Sequence, residues 1–454
     1  MEVLYNRKGY PLMCSGSMAF ITMENSAKSS IKERDILMPY DVHRKEELTY
    51  NGYTIMSWGK GNNFVREAAE IVGSTSVLNT GLKFLRQLTI GQGIFACNVD
   101  GYDEKGNEQL TPVDDSRITT LLNGRMIRRY LEKISRDYFK FGVGFVLLQP
   151  NIEGRIIGLN AINAMFVRLT KPAADGSQCA LVSGGWPSAP GLEGDKPQIF
   201  DVLNDYDPDL GLEVLRKNGK LKKPVMYVVR DTWSNNDWYS EPVWLPAYRL
   251  GWVDVAHMVP TFLKHAYENQ VSWKWHVQIP YSYWERKYPA DDERYNTPDK
   301  RRVAIQQDID AIEQNLCGTE NGEKPIFSHY STNELNGKVE EEWKITPLEN
   351  KYKSGENLVN SAAANSEILF ALMVNPNVLG AGMPGGSYAG NQGGSNIREA
   401  FLINIANAWI DRQTFLDPIG ILLSDLGYAD VELRYRNTVL TTLDTGAGTQ
   451  KTLS

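Results

Sequence analysis

The chain has 454 residues, 42% hydrophobic and 23% charged, with a net charge of −7. That length supports two or three domains with sizeable cores, and no apolar run approaches the roughly 20 residues of a membrane-spanning helix. The acidic balance is the wrong sign for a protein that grips nucleic acid through lysine and arginine.

The N-terminus, Met1-Glu2-Val3-Leu4-Tyr5, lacks the basic-then-apolar pattern of a secretion signal. Cys14, Cys97, Cys179 and Cys317 are scattered and form no CxxC pair, as suits a reducing compartment. His257 and His265 have no acidic or cysteine partner at metal-ligand spacing, so no metal centre and no cofactor is expected.

In chain order, residues 1–50 are polar and weakly periodic, in part an extended arm. Phe64, Ala68, Ile71 and Val72, then Leu78, Leu82, Leu85 and Leu88, predict helix between Asn62 and Gln92. Ile94–Val99 predicts a strand. Ile118, Leu122, Met126, Tyr130, Ile134 and Tyr138 predict one helix over Arg117–Lys140, whose outer side carries Arg125, Arg128, Arg129 and Lys133 with Glu132 and Asp137 interspersed, as on a solvated face. Phe141–Gln149 is a strand by composition, Asn151–Arg155 a turn, and Ile156–Leu169 further extended chain. Gly184–Asp209 reads as a loop before short strands, of which Val225–Val229 is the clearest.

The Trp233–Tyr239 tract reads as an aromatic turn rather than a base-stacking platform, because no basic residues flank it. Leu250–Val271 is helical with Pro260 as a kink or restart, Trp273–Pro280 a strand, and Arg301–Leu316 a charged helix. Ile326–Tyr330 and Trp343–Pro347 are further strands, and Val431–Arg436 a last one.

Ser354 to Leu423 organises the rest as helix, glycine-rich loop, helix. Leu358, Ala362, Asn365, Leu369 and Leu372 advance in steps of four and three, which keeps one stripe on one face of the first helix. Asn375-Pro376 should stop it. The loop Leu379–Gly394 carries no charge. Ser395 or Asn396 can cap the second helix, with Ile397, Phe401, Ile405, Ala408 and Trp409 as its apolar stripe and Asp417-Pro418 as a boundary or kink. A phosphate-cradling loop would end in Gly-Lys-Ser/Thr, and no lysine lies between Gly380 and Gly394. Asp114-Asp115 and Asp291-Asp292 read as solvated loop pairs, and no GxSxG, HExxH or Walker sequence occurs.

Asn365–Gly380 resembles the segment of tailed-phage portal proteins in which a helix ends in a Gly-Val-Pro-Pro turn, here replaced by Val374-Asn375-Pro376-Asn377. The family's following Gly/Asn-rich loop and long helix with an early phenylalanine are matched by Gly393–Asn396, Glu399 and Phe401. A second likeness is the run Tyr138-Phe139-Lys140-Phe141-Gly142-Val143-Gly144 with its following turn and strand, which resembles the centre of the portal wing.

The resemblance implies an α+β portal-type fold: arm 1–60, α/β wing 61–247, stem helix 248–274, clip 275–350, second stem helix 351–375, tunnel loop 376–395, and a long wing helix with a C-terminal strand over 396–454. It implies no catalysis but a dodecameric ring at one capsid vertex of a virion, assembled in the host cytoplasm. The ring would conduct double-stranded DNA without sequence specificity, meeting the terminase large subunit, the major capsid or scaffold protein and a head–tail adaptor, but no membrane. Gly382, Met383, Gly385, Gly386, Ser387, Tyr388, Asn391 and Gln392 would face DNA, Lys351 and Lys353 could contact phosphate, and Leu358, Ala362, Asn365, Leu369 and Leu372 would pack the stem helix. A conduit tolerates an acidic balance, since a wall that bound phosphates tightly would brake sliding DNA. Another virion component, adaptor or tail protein, is the alternative, and a nucleotide-binding enzyme using the loop a more distant one.

Overall fold

A computed structural model of the chain describes residues 2–5, 11–15, 48–104, 106, 108–173, 176–188, 196–205, 207–233, 238–269, 275–317, 331–332, 339–340, 344–347, 354–379 and 394–437. In chain order the elements are β1 (Glu2–Tyr5), β2 (Pro11–Ser15), β3 (Leu48–Tyr50), β4 (Tyr53–Ile55), α1 (Phe64–Ser74), α2 (Ser76–Ile90), β5 (Ile94–Tyr102), β6 (Glu108–Pro112), α3 (Ser116–Leu122) and α4 (Arg125–Phe141). Then come β7 (Val143–Pro150), β8 (Ile156–Ile162), β9 (Val167–Leu169), β10 (Cys179–Val182), β11 (Gln198–Asp201), α5 (Pro208–Lys217), β12 (Val225–Arg230), α6 (Leu245–Arg249) and α7 (Trp252–Asn269). The rest are β13 (Trp275–Gln278), α8 (Tyr281–Lys287), α9 (Pro298–Cys317), β14 (Ser331–Thr332), β15 (Val339–Glu340), β16 (Lys344–Pro347), α10 (Ser354–Ala371), α11 (Gly394–Asn407), α12 (Trp409–Asp425) and β17 (Glu432–Tyr435).

Every strand-to-strand ladder among these is antiparallel, with helices interspersed between the small sheets, so the class is α+β, as the resemblance implies. The chain divides into two compact units, residues 1–34 with 263–354, and residues 35–262 with 355–454.

The larger unit is built on α4 and the sheet β12-β7-β8. Ile127, Tyr130, Leu131, Ile134, Tyr138 and Phe141 recur at helical spacing on the buried side of α4. β7 is central in its sheet and buried at six consecutive positions, Val143 to Leu148, so its sequence is apolar throughout rather than alternating. The turn from α4 into β7 is Gly142, at φ +82°, where an added Cβ would run into the Ser240 carbonyl and approach the Glu241 carbonyl carbon to 2.9 Å. The Gly142 amide closes α4 on the Tyr138 carbonyl at 2.7 Å, a left-handed helix cap that only glycine adopts without strain. Next to it, a Cβ at Gly144 would lie 2.6 Å from Ile134 Cδ1. The two glycines of the Tyr-Phe-x-Phe-Gly-x-Gly run are thus a cap and a close helix–strand approach.

Trp58 is the centre of the core. Its ring stacks on Tyr239 at 4.3 Å and meets Phe141 and Phe145 edge-on. Arg168, buried without a carboxylate partner among the described residues, lies over the rings of Trp58 and Trp186 and donates to the Asn62, Met165 and Val167 carbonyls and the Asn62 side chain. Burial lowers its pKa to about 10. Tyr239 thereby belongs to the core, while Trp233 is exposed.

Several boundaries differ from the sequence reading. Asn62–Gln92 is two helices because Thr75 takes an extended conformation and the His257 ring sits 2.7 Å from its hydroxyl. Arg117–Lys140 is broken at Asn123-Gly124, where Gly124 is extended. α5 stands where short strands were expected: Asp207 caps it by accepting from the Leu210 amide at 3.0 Å, and Pro208 occupies the first turn. α12 runs through Asp417-Pro418 to Asp425, so that pair is no boundary. β17 pairs with β5, some 335 residues away in sequence.

In the smaller unit β1 pairs with β2, β13 with β16 and β14 with β15. Trp284, Tyr288 and Ile305 form its buried cluster, and Asp308 on α9 accepts from the Tyr288 hydroxyl at 2.7 Å and Lys287 Nζ at 2.6 Å. The expected strand Ile326–Tyr330 lies outside the described residues.

Replacing Gly142 with alanine is expected to cost more than about 2 kcal/mol by chemical denaturation, combining backbone strain with an unavoidable clash. Gly219→Ala, at φ +64° with open space around it, supplies the control, with a loss of about 1 kcal/mol. Equal losses would mean the Ser240 backbone yields.

Candidate functional site

The predicted site is the junction of α10, the glycine-rich loop and α11–α12. Gly382, Met383, Gly385, Gly386, Ser387, Tyr388, Asn391 and Gln392, with Lys351 and Lys353, lie outside the described residues. The structure does describe the two arms from which the loop departs.

The first arm is α10. Ala362, Ala364, Ile368, Leu369 and Leu372 are buried and Asn365 is half-buried; Leu358 lies within the helix, its side chain outside the description. The stripe therefore packs against this chain's own core. Leu369 and Leu372 meet α2 at Gly81, where a Cβ would collide with the Leu372 side chain. Ala362 and Ala364 are buried within this chain, and Val359, Phe370 and Met373 form the exposed side.

The helix ends before Asn375-Pro376. The Val374 amide donates to the Leu369 carbonyl at 3.0 Å and the Met373 amide to the Phe370 carbonyl at 2.9 Å, the paired bonds of a Schellman motif. Met373 takes the left-handed position at φ +54° where glycine is usual, and Leu369 and Val374 are buried on either side of it. The same motif closes α12 with glycine: Tyr428 donates to Leu423, Gly427 to Ser424, and Gly427 sits at φ +92°.

The second arm, α11–α12, is broken at Ala408, so the expected single long helix is two. Its apolar stripe is only partly buried: Ala408 is inside, Phe401 and Ile405 are half-buried, and Trp409 is 62% exposed beside exposed Ile403 and Ile410. Sequence periodicity missed what anchors this arm, which is polar. Arg412, buried, donates from Nε to the Thr89 carbonyl and from Nη2 to the Leu88 carbonyl, both at 3.0 Å, and from Nη1 to Asn437 at 2.7 Å, with the Tyr435 ring 5.1 Å away. It thus satisfies carbonyls left open in the last turn of α2, where positive charge is also favoured by the helix dipole.

Tyr130 donates its hydroxyl to the Phe415 carbonyl at 2.9 Å, next to the Thr414 carbonyl that Pro418 cannot bond. At the far end Asp425 accepts Arg216 at 2.8 Å and the Ile156 amide at 2.7 Å. Tyr138 donates to Asp411 at 2.9 Å. Burial pushes the Asp411 carboxyl up to about 6, against the Tyr138 hydrogen bond and reinforced by Asp231. An arginine placed within an apolar helical stripe was the available signal for the Arg412 anchor.

Among the described residues no cluster of three or more histidine, cysteine or acidic side chains could hold a metal, and no helix is long and apolar enough to cross a membrane.

No protein-family model and no curated protein matches the chain. Solved structures do. A chain in the neck of an empty GTA particle, computed with C6 symmetry, is 15% identical over 82% of this chain and 84% of its own, with a TM-score of 0.53. A chain in the virion of a native gene transfer agent particle matches at 15% identity over 82% and 83%, TM-score 0.53. One in the neck of a native GTA particle, computed with C12 symmetry, matches at 15% over 81% and 83%, TM-score 0.51. The likeness is one of fold: this α+β architecture is shared with chains of gene-transfer-agent particles.

Two outcomes follow from the arms. Met373→Gly should raise stability by roughly 1 kcal/mol by relieving the left-handed methionine, read by denaturant titration; no gain would mean the Met373 side chain contributes packing of equal size. Asp411 titrates near pH 6 folded against the usual 3.8, so it favours the fold most below pH 4 and that contribution is lost as pH rises through 6. Asp411→Asn, which can still accept from Tyr138, should therefore be about 3 kcal/mol more stable than the parent at pH 8. The difference should vanish near pH 4.

Proposed function

We propose that the chain is a structural, non-enzymatic component of the neck of a phage-like particle, and within that class a portal protein. The observation that carries the reading is the extent of the fold likeness, 82% of this chain and 84% of its counterpart in a GTA neck. Symmetry of the sixfold and twelvefold kind in the neighbours' particles supports a closed ring. The order of elements in this chain, with a glycine-rich loop between two anchored helices, supports the portal assignment over an adaptor or tail protein.

In this reading identical copies close a ring, about twelve in number, by head-to-tail contacts that complete a rotation. Exposed Phe370, Met373, Ile403, Trp409 and Ile410 are the apolar side chains available on the two arms for neighbouring copies. The loop between Gly380 and Gly394 reaches the axis, where backbone, Ser387, Asn391 and Gln392 contact duplex DNA without reading its sequence. The anchors of α10 and α12 hold the loop's ends in place while DNA moves. The ring sits at one vertex of the virion after assembly in the host cytoplasm. There it meets the terminase large subunit during packaging, the major capsid or scaffold protein, and the head–tail adaptor afterwards.

Native mass spectrometry with negative-stain imaging tests this on the full chain and on a variant lacking Met383–Gly390. Rings with an axial hole from both proteins, with DNA packaging or retention lost only in the deletion, is the expected result. A closed dimer or tetramer without a hole overturns the ring; a deletion variant that fails to fold overturns the role of the loop.

A further inference from the structure

Arg125, Arg129, Lys133, Arg136 and Lys140 follow one another on α4 in steps of four, four, three and four. At 3.6 residues per turn they fall within about 80° of arc, and at 1.5 Å per residue they span about 22 Å. The arc lies opposite the buried side of the helix: Arg125, Arg129 and Lys133 are exposed, Arg136 and Lys140 half-buried. The helix has two carboxylates. Asp137 is buried and engaged by Arg136 and the Ala164 amide, at 2.7 and 3.0 Å. Glu132, exposed, lies at the edge of the arc, four residues from both Arg128 and Arg136. Within the arc itself every step of three or four joins two cations, an arrangement that like-charge repulsion disfavours unless a counter-charge lies against it.

α2, packed against α4, adds to the same charge. Lys83 is exposed, and Arg86 is half-buried with an Nε that is shielded from water and has no hydrogen-bond partner among the described residues. Burial lowers the pKa of Lys140, and the charges of Arg136, Lys83 and Arg86 lower it further against Asp137. A chain of net charge −7 thus gathers seven cations, counting five on the stripe and two on α2, on adjoining helices.

We propose that this stripe is a binding face for the phosphate backbone of double-stranded nucleic acid, separate from the glycine-rich loop. The occupant is argued from what the stripe lacks. It presents no exposed apolar side chain along the arc, whereas a protein partner's footprint has an apolar centre. It presents no aromatic residue on which unpaired bases could stack and no asparagine or glutamine for base edges. Regular cations alone suit phosphates, which carry one charge per roughly 1.7 Å of duplex axis. The face goes beyond the conduit reading, since it requires neither a ring nor the loop.

The test is binding of a fluorescent, covalently closed duplex minicircle to the full-length protein across a salt series, with native mass taken on the same samples. A closed circle cannot thread a preformed ring, so its binding reports a face rather than the axial hole. The wild type should bind with a linear fall of log affinity against log salt. Arg125→Gln/Arg129→Gln/Lys140→Gln should lower affinity at least tenfold at about 100 mM salt and flatten the slope by roughly 2–3, near 0.9 per lost phosphate contact. Arg125→Lys/Arg129→Lys keeps the charges and should retain the slope, which separates charge from fold. The proposal is overturned if the wild type leaves the minicircle free at low salt, or if the triple variant keeps the wild-type slope. Displacement by polyglutamate at lower charge concentration than by duplex also overturns it, in favour of an acidic protein. Rings that form without binding the minicircle sink this face and leave the conduit standing.

Discussion

Arg412 is the contact on which the larger unit depends. It joins α12 to the last turn of α2, whose carbonyls lie 323 and 324 residues earlier in the chain. A guanidinium withdrawn from water costs several kcal/mol unless its donors are satisfied. Here they are satisfied by two helix-end carbonyls and Asn437, with the Tyr435 ring alongside. The α2 terminus gains as well, since its open carbonyls would otherwise need water that the core excludes. Neither partner can leave without stranding the other. Arg168 repeats the device around Trp58, again with carbonyls and rings in place of a carboxylate. Removing either arginine exposes a set of carbonyls, which makes these positions more sensitive than surface ion pairs such as Arg117–Asp115.

The consequence for the loop is mechanical. Its two flanks are held by different physics: α10 by Leu369 and Leu372 against Gly81, and α12 by hydrogen bonds at Arg412, Phe415 and Asp425. Both flanks belong to the unit built on α4 and β7. The apolar side chains left outside, Phe370, Met373, Trp409 and Ile410, are on these same two arms.

Charge is divided rather than averaged. The chain is acidic overall, yet α4 and α2 concentrate cations on one face. Net charge alone does not report that face.

What the sequence alone determined was whatever rests on local pattern. The α4 stripe, the apolar run of β7 and the strand at Val225 are all written in neighbouring residues, as was the position of α10. The cation steps on α4 were equally legible, but interspersed Glu132 and Asp137 suggested a mixed face until burial removed Asp137 from it. Tertiary structure alone decided the rest. Whether Arg117–Lys140 is one helix turned on the extended Gly124, and whether Asp417-Pro418 breaks α12 turned on Tyr130 and the packing around Phe415. The end of α10 came from a left-handed Met373 held by Leu369 and Val374, ahead of the proline that seemed to set it. Leu369 and Leu372 found their neighbour in α2 at Gly81, and Arg412 its carbonyls hundreds of residues away, because burial and hydrogen-bond satisfaction are settled by what folds alongside, which no window of local sequence contains.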